Sequence, residues 1–539
     1  MSLLNRLFIL YHMTIRIKYK ADMVYLSALI AVLAAGWILR AKAGFVPGLI
    51  PGVNGAYYLI QARAILHTGA LGIPDFPLLF YLQAGLGALF SLFTPMNRAI
   101  FIAVRLTDTI IPVLIAVPIF LFVRAFDGAG KQRYTPIIGA LSVGLIAIGN
   151  RGFLHMTGDF QKNAAALPLF LTFAFFLYLS LRNHRRRDII VTFIFFYLTC
   201  LTHIGVAALA LLFTGFVVMT DIISNKNYKQ ALVIVSVLTA SLSLSLGLVF
   251  LFDPERVVKL LAVSFYPGKL FEGSLVSTWA EIGFRIPPLD IDGIVLGNMT
   301  GIIGLATAVL YRKRMDHPTS NVLYASSLTA LVFASPLIGR DLAQRLCLMA
   351  FVPGLIPLAF IVSRQRWIAI FSLAAVLVLF FTTARTISGN FQQTITPAAY
   401  AELQSFKEAL PGGNTMVIAR HGLEWWAAWT METKVANNPD AVQSVWDTYD
   451  TVFFLEEINP DAFTGGDFQH RHARPPVGLP FMHRPRRRNA PTPPPFPGFM
   501  GGQGFHGPGE NFFDPDNLIL IKEGAFFRLS RIMKKPNRT

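Results

Sequence analysis

The stretch WIAIFSLAAVLVLFFTTA, residues 367–384, runs for eighteen residues without a charged side chain, and Arg366 and Arg385 bracket it. At ~1.5 Å rise per residue such a helix is about 27 Å long, close to the hydrocarbon thickness of a bilayer. An ionised side chain at that depth costs kilocalories, so the basic residues stop at the two ends. The same pattern recurs at 23–39, 99–123, 135–149, 164–181, 189–203, 204–221, 230–252, 294–311, 320–338 and 346–363. Together these runs predict a mainly α fold, a polytopic bundle of about eleven membrane helices.

Composition agrees. Of 539 residues, 54% are hydrophobic and 14% charged, with mean hydropathy +0.52. A soluble domain has about 45–50% apolar and about 25% charged residues. The formal net charge is +17, which raises the question of nucleic acid. The basic residues, however, sit in short loops beside apolar runs, as in HRRR at 184–187 and RKR at 312–314. That is the positive-inside pattern of a membrane protein, and it leaves no nucleic-acid partner to expect. Cys200 and Cys347 lie inside apolar runs and form neither a disulfide framework nor a metal-ligand spacing. Residues 1–20 are basic and mixed, and no small-residue cleavage site follows 23–39, so that run reads as a first membrane helix with a cytoplasmic N-terminus.

Charge sets the expected topology. The N-terminus, 124–133, 182–187, 226–229, 312–314 and Arg364 with Arg366 are taken as cytoplasmic. The chain leaves that side at Leu39 and is back by Arg124, which requires an odd number of crossings. The run 99–123 supplies one. Residues 77–95, framed by Pro74, Pro77 and Pro95, then read as a helix on the outer face rather than a span. Loops 40–76, 150–163 and 253–293 face outward, and Arg40 and Lys42 fall outside against the rule. Everything after Arg385 is exported. The expected location is a plasma (inner) membrane, multi-pass, with a periplasmic or extracellular C-terminal domain.

Two domains follow: a membrane domain over 1–384 and a small exported α/β domain over 385–539. In the second, 416–419, 434–436, 451–455, 518–522 and 526–530 have strand character, and 423–430 and 441–447 are helical. Residues 467–513, dense in Pro, Gly, His and Arg, bury too little apolar surface to order and are expected to be disordered. His470, His472, His483 and His506 there are too irregularly spaced to read as a metal site.

Residues 52–63 read GVNGAYYLIQAR, 75–82 read DFPLLFYL, the next span carries Arg105 and Asp108, and 155–163 read HMTGDFQKN. This order resembles the N-terminal module of the GT-C glycosyltransferases, of the protein mannosyltransferase and aminoarabinose transferase type. The resemblance covers about the first 220 residues. It implies a polyprenyl-phosphate sugar as donor, a membrane lipid environment, and an acceptor of unknown kind on the outer face. Tyr57, Tyr58, the Pro-Leu run at 77–82 and Arg105 follow the family order, and Asp159 fits its second acidic position. At the first acidic position stands Asn54, which has no proton-accepting carboxylate. Either Asp75 serves instead, or the acceptor needs no strong base, or transfer has been lost.

On this reading Asp159, Asp75 and Asn54 are the candidate catalytic positions. Lys162, Arg340 and Arg345 are candidates for the donor phosphate, since a cation beside the leaving group offsets its charge. Tyr57, Tyr58, His203 and Arg105 are weaker substrate-binding candidates. Against Asp159 and Lys162 stands an ordinary i,i+3 ion pair, and Arg105 and Asp108 read as pairing with each other or with a neighbour rather than touching substrate. Asp290 and Asp292 offer a lone Asp-x-Asp, which makes a divalent metal possible without indicating one. His421, Glu424, Trp425 and Trp426 read as a core-packed helix start or a sugar platform. Two rival functions remain: a non-catalytic membrane scaffold with an exported binding domain, and a transporter or flippase. The absence of an internal repeat weighs against the last.

Overall fold

The computed structural model describes residues 20–127, 134–225, 228–252, 273–281, 288–390, 393–437, 448–463 and 517–533, with single positions between 254 and 271. The expected disordered segment 467–513 and the expected helix 441–447 lie outside these residues.

All eleven expected spans are helical. Among the described residues eight helices are long and apolar enough to cross a membrane: Asp22–Phe45, Met96–Phe126, Gln161–Asn183, Ile204–Ser224, Leu232–Leu251, Asp292–Arg314, Arg345–Arg364 and Arg366–Ile387. The other three spans are the shorter helices Thr135–Gly149, Arg186–Thr202 and His317–Phe333. The protein is a mainly α, multi-pass membrane protein. Its large apolar surface has a lipid-facing distribution, with Phe371, Val378, Leu379 and Phe381 exposed on the Arg366–Asn390 helix. Phe122, Phe126, Phe170, Phe173, Phe196 and Phe213 fill the bundle interior.

Prolines set several boundaries. The expected run 320–338 ends as a helix at Phe333, because Ser335 precedes Pro336 and the residue before proline is driven out of the helical region. The run 346–363 is two helices, Arg340–Met349 and Phe351–Arg364. Pro353 has no N–H to offer the carbonyl of Met349, and the ladder breaks there. In the Met96–Phe126 span, Pro112 opens a 3-10 turn, Pro112–Ile115, and leaves the carbonyl of Asp108 without its helical partner. The Arg40 Nε donates to that carbonyl at 3.0 Å. Residues 77–95 contain the helix Leu78–Ser91, fourteen residues long, which packs against Met96–Ile110.

Beyond the last membrane helix come the helix Pro397–Phe406, the strand β1 (Thr415–Ala419), the helix Leu423–Met431, and the strands β2 (Lys434–Ala436), β3 (Thr451–Glu457), β4 (Leu518–Glu523) and β5 (Phe527–Ile532). The sheet order is β2-β1-β3-β5-β4. β1 pairs parallel with β2 and β3, while β5 runs antiparallel to β3 and β4. Every residue of β1 is buried, as expected of a strand with parallel neighbours and both faces covered. All five strands coincide with the expected ones to within two residues at each end.

The sheet does not hang free of the bundle. Ile50, Tyr58, Leu59, Phe80 and Val104 share one apolar cluster with Val417, Leu423, Trp426, Leu455 and Phe527. The Gly55–Thr68 helix is the hinge of that contact. Its Arg63 donates to the carbonyls of Trp429 at 2.8 Å and Ala428 at 2.7 Å, and its guanidinium lies 4.5 Å from the Trp429 ring. A cation that satisfies the last carbonyls of a helix also complements its dipole, so this contact docks the Leu423–Met431 helix on the bundle.

Candidate functional site

Two loops meet at the end of the bundle that carries the sheet. Gly52, with φ +84°, faces Asp159 so closely that a Cβ there would lie 2.6 Å from the Asp159 Cβ. Gly158, with φ +81°, leaves no room for a Cβ either, since Pro51 O would be 2.1 Å from it. Only glycine allows both the left-handed backbone and this approach. The consequence is the position of Asp159: its Oδ1 accepts from the Asn54 N–H at 2.9 Å and from the Asn54 Nδ2 at 2.6 Å. Asp159 is half-buried, and its Oδ2 has no hydrogen-bond partner among the described residues.

Beneath this loop lies a buried ion pair. Arg40 is fully buried; its Nη2 meets Asp108 Oδ1 at 3.2 Å and its Nη1 donates to Phe153 O at 2.9 Å. Asp108 Oδ2 in turn accepts from the Gly158 N–H at 2.7 Å. The positive charge that sits against the topology rule is therefore neutralised inside the protein. The i,i+3 pairing of Arg105 with Asp108 does not form. Arg105 turns the other way and donates to the carbonyls of Pro47 at 2.9 Å and Gly48 at 2.8 Å. There it lines a separate cavity of about 440 Å³ with Arg98, Phe101, Tyr400 and Trp429.

Lys162 pairs with Asp75 rather than with Asp159. Asp159 belongs to the turn before the Gln161–Asn183 helix, so the i,i+3 geometry of a helix face does not apply to it. Asp75 Oδ2 also accepts from the Tyr57 hydroxyl at 2.6 Å, and its Oδ1 from the Phe76 N–H at 2.8 Å. Gln61 Nε2 donates to the Tyr57 hydroxyl at 2.9 Å. The Lys162 ammonium lies 5.8 Å from the Tyr57 ring and 5.4 Å from the Phe80 ring. Tyr58 is buried, with its hydroxyl 3.4 Å from both Asp159 O and Lys162 N. Burial, first, and then the neighbouring carboxylates hold that phenol well above its ordinary range.

His203 caps the helix Ile204–Asn225: its Nδ1 accepts from the Val206 N–H at 3.3 Å. The charges of Lys162, Asp75 and Arg345 all act on it. Arg345 is exposed on the Arg340–Met349 helix, and its charge also reaches His421 in the C-terminal segment. The side chain of Arg340 lies outside the described part of the structure. Asp292 is in the first turns of the Pro288–Tyr311 helix rather than in a loop, 3.9 Å from Arg151 Nη1. Asp290's side chain, too, is outside the described part. Among the described residues no three His, Cys, Asp or Glu side chains are grouped to hold a metal ion.

The start of the Leu423–Met431 helix packs on the same Tyr57. The His421 Nδ1 meets Glu424 Oε1 at 2.7 Å. Trp425, next along, stands 5.0 Å from the Tyr57 ring. The hydrogen bond that His421 donates to Glu424, ahead of burial and of the charge of Asp159, has the largest effect on His421 and raises its pKa. Burial raises that of Glu424.

No protein-family model matches the chain, and no curated protein does. Solved structures do. The chain is similar to ArnT from Cupriavidus metallidurans bound to undecaprenyl phosphate, with 10% identity, 94% of this chain and 98% of that one covered, and a TM-score of 0.55. The chain has the ArnT fold. ArnT in the apo state gives 11% identity, 95% and 98% coverage and a TM-score of 0.42. The GT-C resemblance, read from the order of weak motifs in the first 220 residues, thus holds at the level of the fold over nearly the whole chain. What the motif order did not reveal is the pairing. Arg40 with Asp108, Lys162 with Asp75 and Arg63 with Trp429 join residues 68, 87 and 366 positions apart. No local spacing rule reaches that far. The contact that fixes loops 47–54 and 156–160 against each other, Asn54 with Asp159, is 105 positions apart as well.

Proposed function

We propose that this protein is a membrane glycosyltransferase that moves a sugar from a polyprenyl-phosphate donor to an acceptor hydroxyl. The reaction takes place at the sheet-bearing end of the bundle, on the outer face of a plasma membrane, with the N-terminus cytoplasmic. The observation that carries this reading is the half-buried carboxylate of Asp159, clamped through one oxygen by Asn54 and without a hydrogen bond at the other among the described residues, with the Lys162–Asp75 pair three residues along the chain. The ArnT fold supports it.

In the proposed step the acceptor oxygen attacks the anomeric carbon as the bond from that carbon to the phosphate oxygen breaks. Polyprenyl phosphate leaves with the electron pair. Asp159 Oδ2 receives the acceptor hydroxyl as a hydrogen bond and orients it. Lys162 and Arg345 face the growing charge of the leaving phosphate. Asp75 holds Lys162 between the Tyr57 and Phe80 rings, so its part is to position that ammonium. Asn54 fixes Asp159 and takes no proton.

The test is transfer of radiolabel from undecaprenyl-phosphate sugars to membrane acceptors by wild type and Asp159→Asn. Wild-type transfer that falls about 100-fold or more in the variant, with the protein folded, is the expected result. Equal transfer in both clears Asp159. No transfer by folded wild type with any donor favours a non-catalytic membrane scaffold.

A further inference from the structure

A displacement by a hydroxyl needs a group to take its proton, and the carboxylates of the site are heavily engaged. Asp75 is bound by Lys162, Tyr57 and the Phe76 N–H. Asp159 Oδ1 is bound twice by Asn54. Position 54 itself offers an amide.

The Leu423–Met431 helix start offers something different. Glu424 is 1% exposed, and its Oε1 meets His421 Nδ1 at 2.7 Å. Its Oε2 is buried and has no hydrogen-bond partner among the described residues. A buried carboxylate acts strongly on the side chain hydrogen-bonded to it, because little solvent screens it. With Nδ1–H donated to Glu424, the ring keeps its lone pair on Nε2, and 41% of the side chain is accessible. This is how a second group fixes the tautomer of a histidine base.

Placement supports the assignment. Trp425 packs on Tyr57, whose hydroxyl binds Asp75, and Tyr58 beside it meets Asp159 O. The charged groups acting on His421 are Glu424 on its own helix start, Asp159 from the 156–160 loop and Arg345 from the Arg340–Met349 helix. The neighbouring Arg420 is held by Glu457 at 2.7 Å.

We propose that His421 is the base that takes the acceptor's proton, oriented by Glu424, so that the C-terminal segment supplies the group that Asn54 lacks. The inference rests on the transferase reading above. The acceptor O–H bond breaks and its proton goes to Nε2. The oxygen bonds to the anomeric carbon, the carbon–phosphate oxygen bond breaks, and the electron pair leaves on polyprenyl phosphate. The imidazolium, stabilised by Glu424, then releases its proton to solvent.

The experiment uses the full chain in proteoliposomes with radiolabelled undecaprenyl-phosphate sugars and a membrane lipid extract as acceptor. Wild type, His421→Ala, His421→Gln and Glu424→Gln are compared across pH, with binding of undecaprenyl phosphate measured in parallel. Both His421 variants are expected to lose transfer by about 100-fold or more while still binding undecaprenyl phosphate. Added imidazole restores part of the His421→Ala rate and none of the His421→Gln rate, whose side chain fills the gap. The wild-type rate rises through an acid limb that His421→Ala lacks, and Glu424→Gln moves that limb to lower pH. An unchanged rate and limb in His421→Ala overturns the assignment. So does loss of undecaprenyl phosphate binding together with the rate, without imidazole rescue, which marks a structural role. If wild type itself transfers no label, the transferase reading fails and the inference falls with it.

Discussion

The Arg40–Asp108 pair makes a quantitative demand on stability. Arg40 is 0% and Asp108 4% exposed, so neither charge has water to fall back on. Removing one partner strands the other, at a cost of about 3–5 kcal/mol for a buried pair. Asp108→Leu also strips the acceptor from the Gly158 N–H, adding about 1–3 kcal/mol if no water replaces it. Arg40→Met leaves the Asp108 and Phe153 carbonyls without the guanidinium that serves both. The double variant Arg40→Met/Asp108→Leu removes both charges at once. It should recover a large part of the loss, because apolar residues of similar volume replace buried pairs at little net cost. The measurement is a double-mutant cycle from denaturant or thermal unfolding of detergent-solubilised protein. A coupling energy above about 2 kcal/mol is expected, since contacting buried charges are far from additive. Single variants that each cost under about 1 kcal/mol and add in the double would refute the argument. They would mean that the pair is hydrated and that Arg40 reaches the membrane surface instead.

Gly158→Ala should cost about 1–2 kcal/mol from the left-handed backbone alone, and more from the Pro51 contact, and should depress sugar transfer by displacing Asp159; the control Gly85→Ala, in a helix with open space around it, should be neutral or slightly stabilising in the same thermal unfolding assay. His421 and Glu424 both have raised pKa values in the folded protein, so the stability they contribute is complete below their unfolded values of 6.5 and 4.5 and is lost as pH rises through the folded ones. Unfolding followed from pH 5 to pH 9 should therefore show a decline that Glu424→Gln flattens; identical pH slopes in the two proteins would exclude the pair as its source.

The membrane fold was legible because its cause is local. Hydrocarbon excludes charge residue by residue, and eighteen uncharged positions between Arg366 and Arg385 need no knowledge of neighbours. The strands of the C-terminal segment were legible for the same reason, through short alternating or continuous apolar runs. The helix stops at Phe333 and Met349 were missed because hydropathy continues across Pro336 and Pro353 while the backbone ladder does not. For the site, chain order brought Asn54, Tyr57, Asp75, Asp159 and Lys162 to notice but did not fix their partners. Asp159 with Lys162 and Arg105 with Asp108 have helical spacing. In the structure the first residue precedes its helix and the second pair splits, because fully buried Arg40 holds Asp108 while Arg105 turns to the Pro47 and Gly48 carbonyls. The contact of Trp425 with Tyr57, which brings the His421 segment to the bundle, depends on how the sheet docks, which no spacing within either segment encodes.

The apolar cluster shared by the Gly55–Thr68 helix and the sheet also bears on how the protein is made. Residues near 58 leave the ribosome roughly 350 residues before β1, which at ~5–20 residues per second is a delay on the order of tens of seconds. Throughout that interval Tyr58, Leu59 and Phe80 have no sheet to cover them, and the Arg63 guanidinium has no carbonyls to hold. A half-made chain can thread its early membrane segments, but the candidate site closes only when the final strands arrive. A truncation before β5 should therefore behave as an assembly defect, with an uncovered apolar ledge open to chaperones and proteases, rather than as the loss of a separable appendage.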